Sequence, residues 1–389
     1  MNKFKVISNS AIVLYFIIGF EILIMISPFA GFFYSVFNPF LLETVKYPAT
    51  KWLSAFYLPH MVIPPDDFLK FIRISGSVLF VCGTTVFIIC ALQVYTNKFL
   101  KKGTALKGLY YIIRHPQYVG LAMAGIGLSI LWPRFLVLPL WLVMIVLYYF
   151  LSKDEERRML NAHPETYGSY RDATGMFLPK TIERRLAPSG VMGKIAVFFV
   201  IVAFTIGGAF ALRYYTIKHL PLWTSSNVVA LALLSDDTQI MELRMSDVLA
   251  VKEVGTRLKY NEKYLVYFMP VDYIMQGMIA DTGDEWRLYR RHVTINRFLD
   301  WIFHPFSHLS GHHSVLNHES HDMGKGAVRR LIFLKVSDGT ISEPYDFFSI
   351  NAERVPKFMV DLDIHNLTLI AVKDLPMETG WGKMPVPTF

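Results

Sequence analysis

Four charged residues stand against apolar runs that should exclude them. Arg114 and His115 come just before Pro116 and an apolar run, and Glu155 and Glu156 come just after a second one. Pro116 suits the first turn of a helix, where its missing N–H costs nothing. Arg114 then sits at the helix end that repels cations. The two carboxylates are expected at the C-terminal end of the second helix, which disfavours their sign. A site needing opposed charges at a water-excluded rim accounts for both corners: the guanidinium as a planar fork for an anion, a carboxylate as ligand or general base. The alternative is that Arg114 and the neighbouring Lys153, Arg157 and Arg158 only mark membrane topology. Joined at Trp132-Pro133-Arg134, the two runs make a hairpin with both polar ends on one side of the bilayer. About forty positions apart in sequence, the corners become neighbours.

The elements that must position these residues are membrane helices. The chain is 53% hydrophobic and 18% charged, a membrane-protein profile. Its formal charge of +8 flanks apolar runs and forms no single stripe, which argues against a nucleic-acid partner and suits loops beside anionic lipid. Cys82 and Cys90, the only cysteines, fall eight helical residues apart, about 12 Å, too far to bridge. The first run, Ala11 to Phe37, is too long for a signal-peptide core and is read as a retained helix. Glu21 inside it is either functional or a paired structural acid. A proline-rich loop, Asn38 to Arg73, precedes a second run from Ile74 to Tyr95. The hairpin follows, then a fifth run from Ile195 to Leu212, making about five transmembrane helices. The basic loop with Lys98, Lys101, Lys102 and Lys107 places the hairpin corners on the cytoplasmic side and the C-terminus outside, in a multi-pass protein such as those of a bacterial inner membrane. The hairpin's first helix, Gln117 to Leu131, spans only about 22 Å and carries Gly120, Gly125 and Gly127. Glycine weakens a helix unless something approaches its backbone, so a ligand or another helix must lie there.

From about Pro221 to Phe389 the composition becomes charged and turn-rich. Val228 to Leu234, Ile240 to Val254, Arg330 to Val336 and Leu367 to Val372 read as strands, and Asp284 to Phe303 as a helix. The fold class is therefore an α-helical integral membrane protein with a C-terminal α+β extramembrane domain: residues 1–215 (core 74–180) and 221–389. Six histidines fall between His304 and His321. His304, His308 and His312 share helical spacing and could ligate zinc, copper or nickel. Pro305 and Gly311 break that helix, and a pH-sensitive surface loop is the competing reading.

The order and spacing of Gly108, Tyr110, Arg114-His115-Pro116, Tyr118 and Gly120, then Glu155-Glu156, Leu160, Tyr167, Tyr170 and Met176-Phe177-Leu178-Pro179 resemble integral-membrane methyltransferases, namely isoprenylcysteine carboxyl methyltransferases and phospholipid N-methyltransferases. The resemblance ends at Lys180. It implies methyl transfer from S-adenosylmethionine to a membrane-embedded or lipid-like acceptor, a carboxylate or an amine. It further implies a cofactor pocket of His115, Pro116, Tyr118, Gly120, Gly125, Gly127 and Tyr167 with Glu155 or Glu156, and Arg114 orienting an anionic acceptor or the cofactor's carboxylate. Two other classes stay open: a steroid- or sterol-reductase-like enzyme using NADPH, whose members share a similar Arg-His-Pro-x-Tyr turn, and a membrane-anchored outer domain acting as a sensor or assembly factor.

Overall fold

A computed structural model describes residues 43–44, 46–59, 62, 64–100, 107–186, 188, 190–271, 327–337 and 341–375. The run from Ala11 to Phe37 with Glu21, the helical stretch from Asp284 to Phe303 and the histidine cluster with His304, His308 and His312 lie outside the described residues. Two compact units emerge, one comprising Lys70–Leu212 and the other Arg213 onward together with the described residues up to Leu69.

The first unit is helical: α1 Asp67–Phe99, α2 Pro116–Leu131, α3 Val137–Ala162, α4 Pro164–Ala173, α5 Lys180–Leu186 and α6 Val191–Lys218. Three of these, α1, α3 and α6, are long and apolar enough to cross a membrane and α2 is a shorter apolar helix, so four of the five expected runs are helices among the described residues and the first, Ala11 to Phe37, lies outside them. Helix α1 starts seven residues before the expected Ile74. Its polar first turns are held by the Asp66 carboxylate, which accepts the Leu69 N–H at 2.8 Å, the capping contact that a hydropathy reading overlooks. Helix α3 likewise runs beyond Leu151 through its charged stretch to Ala162. Glu155 and Glu156 are thus inside the helix, about two turns from its end, and not at its C-terminus as expected.

Helices α2 and α3 run antiparallel. Their shared core is Tyr118, Leu121, Leu128, Met144 and Tyr148, with Phe80 and Phe87 of α1 packed against it. The indole of Trp141 donates to the Ala122 carbonyl at 2.9 Å, a bond worth having where water is scarce.

The second unit is a six-stranded sheet in sequential order, with β1 Leu222–Thr224, β2 Val228–Ala232, β3 Lys263–Pro270, β4 Val328–Ser337, β5 Glu353–Asp363 and β6 Leu369–Asp374. Only β2 and β3 pair in parallel, which requires a crossover. That crossover is α7, Ser235–Ala250, with the short α8, Lys252–Gly255. The strand expected from Ile240 to Val254 is therefore corrected to helix. Met241, Met245 and Val248 recur at i, i+4 and i+7 and are fully buried, a helical period, and Asp236 and Asp237 in the first turn suit the positive helix end. Buried ion pairs fix this unit, with Arg329 Nε 2.9 Å from Asp237 Oδ1 and Arg330 forked onto both oxygens of Asp361 at 2.8 Å. The proline-rich segment before α1 belongs here too: Lys51 Nζ donates to the Asn351 carbonyl at 2.8 Å, and Arg213 donates to the carbonyls of Phe56 and Phe348.

Candidate active site

The Arg-His-Pro corner is stitched to the segment after α4 by backbone. Ile113 bridges Gly175 in parallel, the Arg114 N–H donates to the Gly175 carbonyl at 2.9 Å, and the His115 N–H donates to that of Met176 at 3.1 Å. Gly175 is required at this crossing, because a Cβ there would run into the Leu178 carbonyl. The Met176 N–H in turn donates to Glu183 Oε2 of α5 at 2.5 Å. His115 becomes the N-cap of α2 with Pro116 at its first position, as the sequence chemistry requires.

Arg114 is 8% exposed and spends its fork inside the protein. Its Nε donates to Glu156 Oε1 at 2.6 Å, and its Nη1 donates to the carbonyls of Arg171 and Thr174. It is a clamp between α3 and the end of α4. The two adjacent carboxylates then differ sharply. Glu156, 5% exposed, is the counter-ion of Arg114, with Lys153 Nζ at 3.6 Å. The side chain of Glu155 is 35% exposed; its Oε1 accepts the Tyr118 hydroxyl at 2.8 Å, and its Oε2 lies 3.4 Å from His115 Nδ1.

His115 lies between the two acids, its Nε2 3.5 Å from Glu156 Oε1. Burial opposes its protonation, but the paired carboxylates outweigh burial and raise its pKa above the ordinary value. Both contacts are ion-pair distances, and Nε2 is a buried atom with no hydrogen-bond partner among the described residues. The ring stacks on Tyr118 at 5.8 Å and meets Phe177 at 6.0 Å; Tyr118 stacks on Tyr148 at 5.1 Å. Tyr167 is buried in the same corner, and burial, with Glu156 nearby, pushes its phenol up to about 12. Tyr170 donates to the Tyr110 carbonyl at 2.5 Å, and Tyr110 donates to Gln117.

The structure thus brings together Arg114, His115, Pro116, Tyr118, Glu155, Glu156 and Tyr167. The three glycines stand apart. What approaches them is protein: a Cβ on Gly120 would lie 2.8 Å from the Gly83 carbonyl and the Phe87 nitrogen of α1, one on Gly127 would strike Phe80 and Gly76, and one on Gly125 would lie 2.7 Å from the Trp141 ring. Their small size serves close helix packing, and the space expected for a cofactor at Gly120, Gly125 and Gly127 is filled by α1 and α3. Sequence reasoning passed over Tyr148 and Ser152. Both lie on the Glu155 face of α3 at i−7 and i−3, and Ser152 Oγ is buried without a hydrogen-bond partner among the described residues. No group of three or more His, Cys, Asp or Glu that could hold a metal occurs among the described residues.

No curated protein and no solved structure matches this chain. Residues 72–168 match the family model described as phospholipid methyltransferase, a segment that runs from α1 into α4 and contains Arg114, His115, Tyr118, Tyr148, Glu155, Glu156 and Tyr167. That match takes in the motifs from Gly108 to Tyr167 that resemble membrane methyltransferases.

Proposed function

We propose that this protein transfers a methyl group from S-adenosylmethionine to a lipid-like acceptor that enters from the bilayer, with the methyltransferase unit between Ile74 and Lys180. The observation that carries this reading is the one-third-exposed Glu155 carboxylate, held by Tyr118 and His115 beside an aromatic wall, inside the segment that matches the methyltransferase family model.

The donor set fits such a cofactor. Tyr118 and Tyr148 build an aromatic wall suited to a sulfonium, Glu155 offers a carboxylate to an ammonium or ribose hydroxyl, and Ser152 Oγ is a buried hydroxyl with no hydrogen-bond partner among the described residues. S-adenosylmethionine, when bound, supplies a methyl group made electrophilic by its sulfonium. The chain's own task is to orient and to exclude water. Tyr118, Glu155 and His115 would hold the cofactor. Arg114 and Glu156 position them by locking α3 to the segment after α4. For an amine acceptor, Glu155 Oε2 is the atom placed to take the proton. For a carboxylate acceptor no proton moves, and positive charge from His115 would favour the anion. By the positive-inside pattern the site faces the cytoplasm and the C-terminal domain the opposite side.

The test is transfer of label. Purified protein is incubated with methyl-labelled S-adenosylmethionine and an extract of its native membrane lipids. Radioactivity in the organic phase, lost in Glu155→Gln, is the expected result. Label confined to the aqueous phase with every lipid fraction overturns the proposal.

A further inference from the structure

Helix α5 carries groups that the proposed chemistry does not use. Leu178 just before it, and Ile182 and Leu186 within it, recur every four residues and are 43%, 44% and 67% exposed, an apolar stripe left uncovered by the described residues. Arg185 flanks this stripe and Arg184 lies on the opposite, polar face of the helix; both are exposed, and neither has a carboxylate partner among the described residues. An apolar face with arginines at its edge and on the opposite face fits a headgroup layer, where apolar side chains enter the acyl boundary and guanidinium groups meet phosphates. Chain length agrees. From Leu186 to Val191, where the membrane-length α6 begins, five residue steps reach at most about 17 Å, so α5 stays close to the bilayer surface.

The same helix is tied to the site. Glu183 of α5 accepts the Met176 N–H, Met176 accepts the His115 N–H, and Gly175 accepts the Arg114 N–H. Anything that fixes α5 therefore fixes the segment on which His115 and Arg114 hang.

We propose that α5 is a basic amphipathic strap that lies on an anionic bilayer, its arginines on lipid phosphates, and that through Glu183 this docking holds the 174–179 segment against the Arg-His corner. The occupant is the bilayer surface, by charge complementarity and by the tether to α6. Anionic lipid then acts as a regulator of the site, independently of what the site methylates.

Hydrogen exchange at the Met176 amide reads this directly. The full-length protein is placed in phosphatidylcholine nanodiscs with and without phosphatidylglycerol. Anionic lipid should slow Met176 exchange by about tenfold or more, and the difference should vanish in the Arg184→Gln, Arg185→Gln double variant. In Glu183→Ala the amide should exchange fast in both lipids. Equal protection of the wild-type amide in the two lipids overturns the proposal, as does a lipid effect that survives the double variant. Neither outcome depends on methyl transfer, so the docking and the catalytic reading fail separately.

Discussion

Glu155 and Glu156 are adjacent and chemically identical, yet their surroundings assign them different work, and neutralising each in turn separates the two roles. Glu156→Gln leaves Arg114 buried with a neutral acceptor in place of its counter-ion. Breaking a buried pair by removing one charge costs about 3–5 kcal/mol, and the Gln oxygen that still accepts from Nε puts the expected loss near the low end, about 3 kcal/mol. That is more than a hundredfold in the folding equilibrium. Glu155→Gln removes charge from a carboxylate that is one-third exposed and keeps an acceptor for Tyr118, so the stability cost should stay at or below about 1 kcal/mol. Its cofactor affinity should fall by about 1.5–3 kcal/mol, the scale of a hydrogen bond to a charged group, or roughly tenfold to a hundredfold. Tryptophan fluorescence through a denaturant titration in detergent gives the first quantity, and calorimetric titration with S-adenosylmethionine gives the second. Equal stability losses in the two variants, or a larger one in Glu155→Gln, would refute the division of labour.

Helix packing and titration give further checks. Gly120→Leu places a side chain against the α1 backbone, where even a Cβ lies 2.8 Å from the Gly83 carbonyl; it should cost about 1–3 kcal/mol or more, measured by the same denaturant titration, whereas Gly168→Ala, with open space around it, should change little. In the sheet unit, the Tyr264 hydroxyl and Lys335 beside Glu262 hold its carboxyl down at about 2. A depressed folded pKa gives stability that is present above the unfolded value of about 4.3 and lost as pH falls toward 2. Glu262→Gln should therefore flatten that unit's acid unfolding profile over this window, as followed by circular dichroism. A reporter fused after Phe389 should register as extracytoplasmic and one inserted between Leu186 and Val191 as cytoplasmic, because α6 is long enough for a single crossing; both reporting the same side would overturn the topology.

The hairpin was legible because proline, glycine and hydropathy act locally. Pro116 announces a helix start, and two apolar runs separated by Trp132-Pro133-Arg134 can hardly do other than fold back. The convergence of the two polar corners follows from that geometry alone. The division between Glu155 and Glu156 was not legible, since it depends on which side of α3 each carboxylate leaves and on two carbonyls, of Arg171 and Thr174, that reach Arg114 from a segment nearly sixty residues away. The glycines of α2 are ambiguous in sequence for a physical reason: a ligand and a helix backbone both demand the absence of a Cβ, and only the structure supplies Gly76, Phe80, Gly83 and Phe87 as the neighbours. In the C-terminal unit, β2 and β4 declare themselves by short β-branched and aromatic runs. Ile240 to Val254 is ambiguous because its apolar residues fit strand alternation in places, whereas buried Met241, Met245 and Val248 mark one face of a helix. Sheet order, and the parallel β2–β3 pairing it contains, depends on contacts that no local pattern encodes.

The most direct test of the account is equilibrium binding of S-adenosylmethionine to the purified protein in nanodiscs, set against NADPH at the same concentrations. Saturable binding of S-adenosylmethionine, weakened at least tenfold by Glu155→Gln, with no binding of NADPH, is the result expected if Tyr118, His115 and Glu155 form a methyltransferase cofactor site. Saturable NADPH binding, or none by either cofactor in protein that is folded and correctly inserted, would contradict it.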